Sequence, residues 1–287
     1  DLDLQQTADQ LLTGRTGALV LLNAATGEIL ALASHPYYDP NQLEQRWQEW
    51  TSDPEAPLVN RATQGQYPPG TALAPFLYAK IKSQTGLPVF PSQLSLVLEG
   101  QTLTCALPPA SPLTWETAIE AGCPAPIQEL SRLISTNQMR ELFRSLGFYA
   151  NPDPRLPVSA AALDEAIPNS RLAALGRLPA PGAGAPAVAT PHQGRVVLPA
   201  EPSVQALVYR NLEESVSNLA STDLPTWQSL GVSNAVDQQV SWYVGGTLPQ
   251  WQGPPLAIAL VLEDYDPWLA RSIGQAVLRA ALQPAAP

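Results

Sequence analysis

Side chains able to do chemistry are few in this chain. Histidine occurs twice (His35, His192), cysteine twice (Cys105, Cys123) and lysine twice (Lys80, Lys82), against thirteen arginines. That set cannot supply a four-ligand zinc site of the usual spacing or a disulfide-dense miniature fold. Cys105 and Cys123 can pair in an oxidising compartment, or stand as two separate buried thiols. Gly231-Val232-Ser233-Asn234-Ala235 echoes the G-x-S-x-G elbow of serine hydrolases, but it lacks a strand–turn–helix context, and only two histidines could act as base. Ser135-Thr136-Asn137, followed by Gln138, reads as a capping box between two short helices. Glu263-Asp264-Tyr265-Asp266 gathers three acids, as a glycosidase or metal site does; a solvated turn with Asp266 as helix cap explains them more simply. Trp47 and Trp50 read as local core rather than a ligand platform.

The elements that must position these groups follow from periodicity. Leu4 to Leu12 reads as an opening helix. Gly17-Ala18-Leu19-Val20-Leu21-Leu22 and Glu28-Ile29-Leu30-Ala31-Leu32-Ala33-Ser34 flank an Asn/Gly turn, and their continuous apolarity predicts a hairpin buried on both faces. Residues 35–69 carry six prolines and read as loop. Gly70 to Ile81 is an Ala-rich core helix, and residues 127–146 place apolar side chains at helical spacing on two short helices. Residues 151–200 read as irregular, and a helix is expected near Ser203 to Leu219. Strands follow at Val240 to Gly245 and Leu256 to Leu262. A final helix is capped by Asp266, with Pro267 at its first position and a stripe of Leu269, Ile273, Val277 and Ala280. Strands at both ends and helices between them predict one domain over residues 1–287. Its architecture is an α/β sandwich: a mostly antiparallel sheet made by N- and C-terminal strands, covered by helices, with a helical and irregular middle at about 84–230.

Composition narrows the function. The chain has 287 residues, 45% of them apolar, 14% charged, and a net charge of −10. Such an acidic chain repels phosphate backbones, which argues against nucleic acid and anionic membrane surfaces as partners. No run of 18 apolar residues is present to span a bilayer. The opening Asp1-Leu2-Asp3-Leu4-Gln5-Gln6 has no basic n-region, and reads as the cut end of a longer protein.

Four stretches carry a resemblance. They are Asp1 to Ala8; Gly17-Ala18-Leu19-Val20 with Thr26-Gly27-Glu28-Ile29-Leu30-Ala31 and Ser34-His35-Pro36-Tyr37-Tyr38-Asp39-Pro40-Asn41; Pro57-Leu58-Val59-Asn60-Arg61-Ala62 with Tyr67-Pro68-Pro69-Gly70; and Trp242-Tyr243-Val244-Gly245-Gly246-Thr247-Leu248-Pro249. Together they resemble the transpeptidase domain of class B penicillin-binding proteins, over roughly residues 1–83 and 230–282. The resemblance implies a β-lactamase/transpeptidase-like sandwich and a serine acyltransferase that attacks D-Ala-D-Ala stem peptides or β-lactams. Its three motifs are Ser-x-x-Lys opening a helix, Ser-x-Asn on a facing loop, and Lys-Thr-Gly on an edge strand.

This sequence departs from all three. Thr71 stands at the nucleophile position and Ala74 at that of the lysine base. Gly122 and Pro124 stand where the second motif has Ser and Asn. Val232, Ser233 and Asn234 stand in place of Lys-Thr-Gly. No shift of register repairs this. Three residues before Lys80 is Leu77, three before Lys82 is Ala79, and neither lysine is followed by Thr-Gly or Ser-Gly. Loss of such a base removes several powers of ten in rate. The expectation is a non-catalytic, extracytoplasmic domain, anchored in the membrane through a segment preceding Asp1. It would bind a cell-wall synthesis or division protein, and needs no cofactor or metal. The alternatives are non-covalent sensing of stem peptide or β-lactam, and residual D,D-transpeptidase activity through Thr71.

Overall fold

A computed structural model describes residues 1–63, 67, 70–84, 86–98, 101–135, 137–138, 141–142, 224–235 and 238–283. The expectations for residues 151–200 and for a helix near Ser203 lie outside the described residues.

Strands β1 (Gly17–Asn23) and β7 (Leu256–Leu262) are the apolar runs GALVLLN and LAIALVL, and burial absorbs both faces of each. They pair antiparallel, Gly17 opposite Leu262, so the two ends of the chain meet at the centre of one sheet. β2 (Ile29–His35) adds to β1, while β6 (Gln238–Thr247) and β5 (Thr226–Ala235) extend the other side. The order is β2-β1-β7-β6-β5, with every pairing antiparallel. Gly17 is required by close approach, since a β-carbon there would lie 2.3 Å from the Val261 carbonyl oxygen. β3 (Leu96–Leu98) and β4 (Gln101–Leu103) form a separate small hairpin.

Alternate side chains of the central strands feed two cores. On one face Ala18, Val20, Trp242, Val244, Ala259 and Val261 pack against α3 (Ala74–Gln84), through Phe76, Leu77 and Ile81. On the other, Leu19, Leu21, Tyr243, Ile258 and Leu260 meet α1 (Leu2–Leu12) and the C-terminal helix α6 (Pro267–Ala281). This is the expected sandwich.

Four expectations need correction. β2 is not buried on both faces; as an outer strand it alternates buried and half-buried residues. Residues 35–69 are not all loop: Pro40–Gln42 forms a 3₁₀ turn, capped by the Asp39 carboxylate accepting from the Asn41 N–H at 2.9 Å. It leads into α2 (Leu43–Ser52), a proline-free stretch of Gln, Glu, Arg and Trp. Trp50 of that helix is buried, but Trp47 is exposed rather than core. The stripe of α6 is Ala270, Ile273, Gly274, Val277 and Leu278; the Tyr243 ring lies against Gly274, where a β-carbon would come within 2.1 Å of it. The Asp266 cap is present, its carboxylate accepting from the Leu269 N–H at 2.9 Å. The Ser135–Gln138 capping box is also present.

Candidate functional site

The site is built where three remote segments meet, one of them the outer strand β5. The first is the 3₁₀ turn Gly70–Leu73 that opens α3. Gly70 has a left-handed φ of 51°, and a β-carbon there would lie 2.1 Å from the Val232 carbonyl oxygen. Only glycine lets the turn approach this closely. Thr71 follows, 9% exposed, and its Oγ1 accepts a hydrogen bond from the Val232 N–H at 3.2 Å. Behind it Ala72 lies against Gly231, whose β-carbon would sit 2.5 Å from the Ala72 nitrogen. Ala74, one turn on, is fully buried.

The second segment is the corner between α4 (Trp115–Glu120) and α5 (Pro124–Arg132). Gly122, with φ 66°, turns this corner; a β-carbon there would lie 2.7 Å from the Leu230 oxygen and 3.1 Å from Thr71 Oγ1. The corner is held by the Leu107 N–H donating to the Ala121 oxygen at 3.1 Å. It is also held by a Cys105–Cys123 disulfide, which decides between the two readings of these cysteines. Pro124 is buried at the start of α5.

The third segment is β5 itself. Thr71 Oγ1 thus meets the Val232 N–H on one side and the Gly122 corner on the other, and Ala74 and Pro124 are both buried. Ser233 is half-buried further along β5, and Asn234 follows in the same strand. β5 is pinned to α4 by the Ser229 hydroxyl donating to the Ile119 oxygen at 3.0 Å, and by the Gln228 amide donating to the Glu120 carboxylate at 2.6 Å. Gln275 of α6 in turn donates to Gln228 at 2.9 Å. Burial raises the Glu120 carboxyl above its ordinary range; the Gln228 hydrogen bond and the charge of Arg271 oppose this. Sequence reasoning passed over Glu120 and did not assign β5 as a strand. The only local signal for β5 was apolar residues at alternate positions Leu230 and Val232, flanked by Gly231 and polar residues.

Acyl transfer needs an accessible hydroxyl, a base to take its proton and free N–H groups for the oxyanion. Here the hydroxyl is buried and the Val232 N–H is engaged by it. Lys80 and Lys82 lie nine and eleven residues past Thr71, roughly 14 Å or more along the helix axis at 1.5 Å per residue.

A turn-and-helix, a facing loop and an outer strand meeting at one point on an antiparallel sheet is the architecture of penicillin-recognising acyltransferases. The family model described as the penicillin binding protein transpeptidase domain matches residues 17–176, more than half of the chain. The chain belongs to that family.

Among its relatives, the peptidoglycan D,D-transpeptidase MrdA of Escherichia coli K12 is 44% identical over 82 residues, 27% of this chain and 13% of that protein. The peptidoglycan D,D-transpeptidase PbpA of Mycolicibacterium smegmatis is 29% identical over 164 residues, 50% of this chain and 33% of that protein. The matches thus span a third or less of these relatives' length. In fold, the chain is similar to the crystal structure of PBPA from Mycobacterium tuberculosis, with a TM-score of 0.72 at 22% identity, covering 99% of this chain and 80% of that one. It is also similar to PBP2 of Helicobacter pylori in a complex with MreC, with a TM-score of 0.69 at 16% identity, covering 98% and 63%.

Proposed function

We propose that this domain is a pseudoenzyme of its family, acting in peptidoglycan synthesis outside the cytoplasmic membrane by binding another protein rather than by acyl transfer. One observation carries the reading: the hydroxyl at the nucleophile position, Thr71, is buried against β5 and accepts the Val232 N–H, with Ala74 where a base would stand. A substrate strand pairing with β5 would have to displace the turn that supplies Thr71, and a β-lactam would meet no ammonium group at Ala74, Gly122 or Val232. That PBP2 of a related fold is found in a complex with MreC supports a cell-wall protein as the partner. In this reading residues 1–287 form one transpeptidase-like domain, held at the membrane by a segment outside this sequence.

The test is labelling with fluorescent penicillin. No adduct is expected on the chain, nor on Thr71→Ser combined with Ala74→Lys, because the second and third motif positions stay unfilled. A stable adduct lost in Thr71→Ala would overturn the reading in favour of residual D,D-transpeptidase chemistry. Chemical-shift changes around Thr71 with millimolar D-Ala-D-Ala peptide, without acylation, would replace it with a stem-peptide sensor.

A further inference from the structure

At the opposite edge of the sheet from Thr71, an open groove of about 740 Å³ runs beside β2. Its lining includes Asp9 of α1, His35 at the end of β2, and Tyr37, Tyr38, Pro57 and Val59 from the following segment. The volume lies within the range of ligand clefts. Tyr37 is 71% exposed, yet its ring is positioned against the His35 imidazole, centroids 5.5 Å apart. The Tyr38 ring is backed at 5.5 Å by the buried Trp50. Ser34 fixes the far wall, accepting the Arg61 N–H at 2.8 Å and donating to the Val59 oxygen at 3.2 Å. Aromatic side chains held this way lose little entropy when a ligand settles on them.

Two features choose the ligand. The first is charge. Among the described residues Asp9 is the one carboxylate lining the groove, its side chain 44% exposed, and no described lysine or arginine lines it, on a chain of net charge −10. Asp9 Oδ1 is 3.2 Å from His35 Nε2 and Oδ2 accepts from Gln5 at 2.9 Å, which holds the carboxylate at the mouth with lone pairs to spare. The second is the edge of β2. The Gln5 side chain both accepts from the Leu32 N–H and donates to the Leu32 oxygen, each at 2.9 Å. A peptide adding as a further strand would have to break both bonds. A polyproline II segment asks nothing of a strand edge and stacks its rings on aromatic faces.

We infer that this groove is a docking site for an extended, proline-rich segment of a partner protein that carries arginine or lysine, with prolines on Tyr37 and Tyr38 and the cation at Asp9. The inference rests on the reading that the domain acts by binding a protein, and it names the chemistry of the segment bound.

The test titrates the ¹⁵N-labelled chain with an acetylated, amidated decapeptide of proline with two arginines. Shift changes are expected at residues 34–40 and 57–60. Tyr37→Ala should weaken binding at least tenfold, as removal of an aromatic anchor does. Tyr37 is exposed, so that substitution leaves the fold intact, and Tyr37→Phe should retain affinity. Asp9→Asn should abolish the preference for this peptide over its citrulline analogue. Silence at millimolar peptide would overturn the inference. So would equal affinity for a proline-free basic peptide, indifference to Tyr37→Ala, or a valine-rich strand peptide that binds in its place. If a captured cell-wall partner stays bound to Tyr37→Ala and Asp9→Asn, the groove assignment falls while the binding role stands. Penicillin labelling of Thr71 would sink the binding role and leave the groove measurement readable.

Discussion

Gly122→Ala is the sharpest perturbation of the closed Thr71 corner. The residue sits at φ 66°, so any side chain pays the left-handed penalty of about 1–2 kcal/mol. Its new methyl would also lie 2.7 Å from the Leu230 oxygen and 3.1 Å from Thr71 Oγ1, both inside contact distance. The first of these neighbours is backbone of a paired strand and cannot turn aside, so overpacking adds about 1–3 kcal/mol. Together the cost is about 2–5 kcal/mol, or roughly 3–8 °C in Tm for a chain of 287 residues at about 2.1 cal/mol/K of unfolding entropy per residue. Gly14→Ala is the matched control: φ is 72°, but nothing lies within 4 Å of the new methyl. It should lose only the left-handed term. Scanning calorimetry on the oxidised protein compares the two, and the difference between them measures how tightly the corner packs on β5. Equal losses would mean that the corner yields freely to a methyl group, and the argument that Thr71 is sealed would fail.

Other substitutions test the supports of the fold. Arg61 is buried and donates to Glu263 at 2.8 Å and to the backbone oxygens of Glu55 and Ala56, while the Tyr67 hydroxyl donates to the same carboxylate. Arg61→Met strips a partly buried carboxylate of its cation and should cost about 3 kcal/mol in urea unfolding, whereas a loss under 1 kcal/mol would show the pair to be solvent-screened. Burial raises the Glu120 carboxyl above its ordinary 4.5, so its folded-state contribution is fully present below that pH and lost as pH rises through the folded value. Glu120→Gln keeps an acceptor for Gln228 and should therefore gain stability relative to the parent as pH rises from below 4.5 to neutrality. A pH-independent difference in urea midpoint would refute this. The Cys105–Cys123 bridge closes a loop with a sequence separation of 18, so replacing both cysteines by alanine should cost about 3 kcal/mol by loop entropy. An unchanged midpoint under reduction would contradict that.

Legibility followed the range of the physics. β7 and the Asp266 cap could be read to the residue, because a continuous apolar run and a cap–proline pair are local signals. β5 could not. Gly231 interrupts it, and its strand character comes from pairing with β6 in full register, from Thr226 opposite Thr247 to Ala235 opposite Gln238. The edge character of β2 was hidden for the same reason, since Ile29–His35 has the composition of a buried strand and differs only in having one neighbour. The α2 helix was masked by prolines at its flanks.

The sequence alone determined which of the family's lysine-bearing motifs this chain can spell. Two lysines, both on α3 and neither three residues after a serine, mean that no arrangement of the backbone yields a Ser-x-x-Lys or a Lys-Thr-Gly. Tertiary structure alone decided that Thr71 is covered, that Cys105 and Cys123 are joined, and that Tyr37, Tyr38 and Asp9 share a groove. Thr71 and Val232 are 161 residues apart, and their contact depends on glycines at 70, 122 and 231 letting three backbones approach within a side chain's width. That is a property of the packed molecule, which no window of sequence contains.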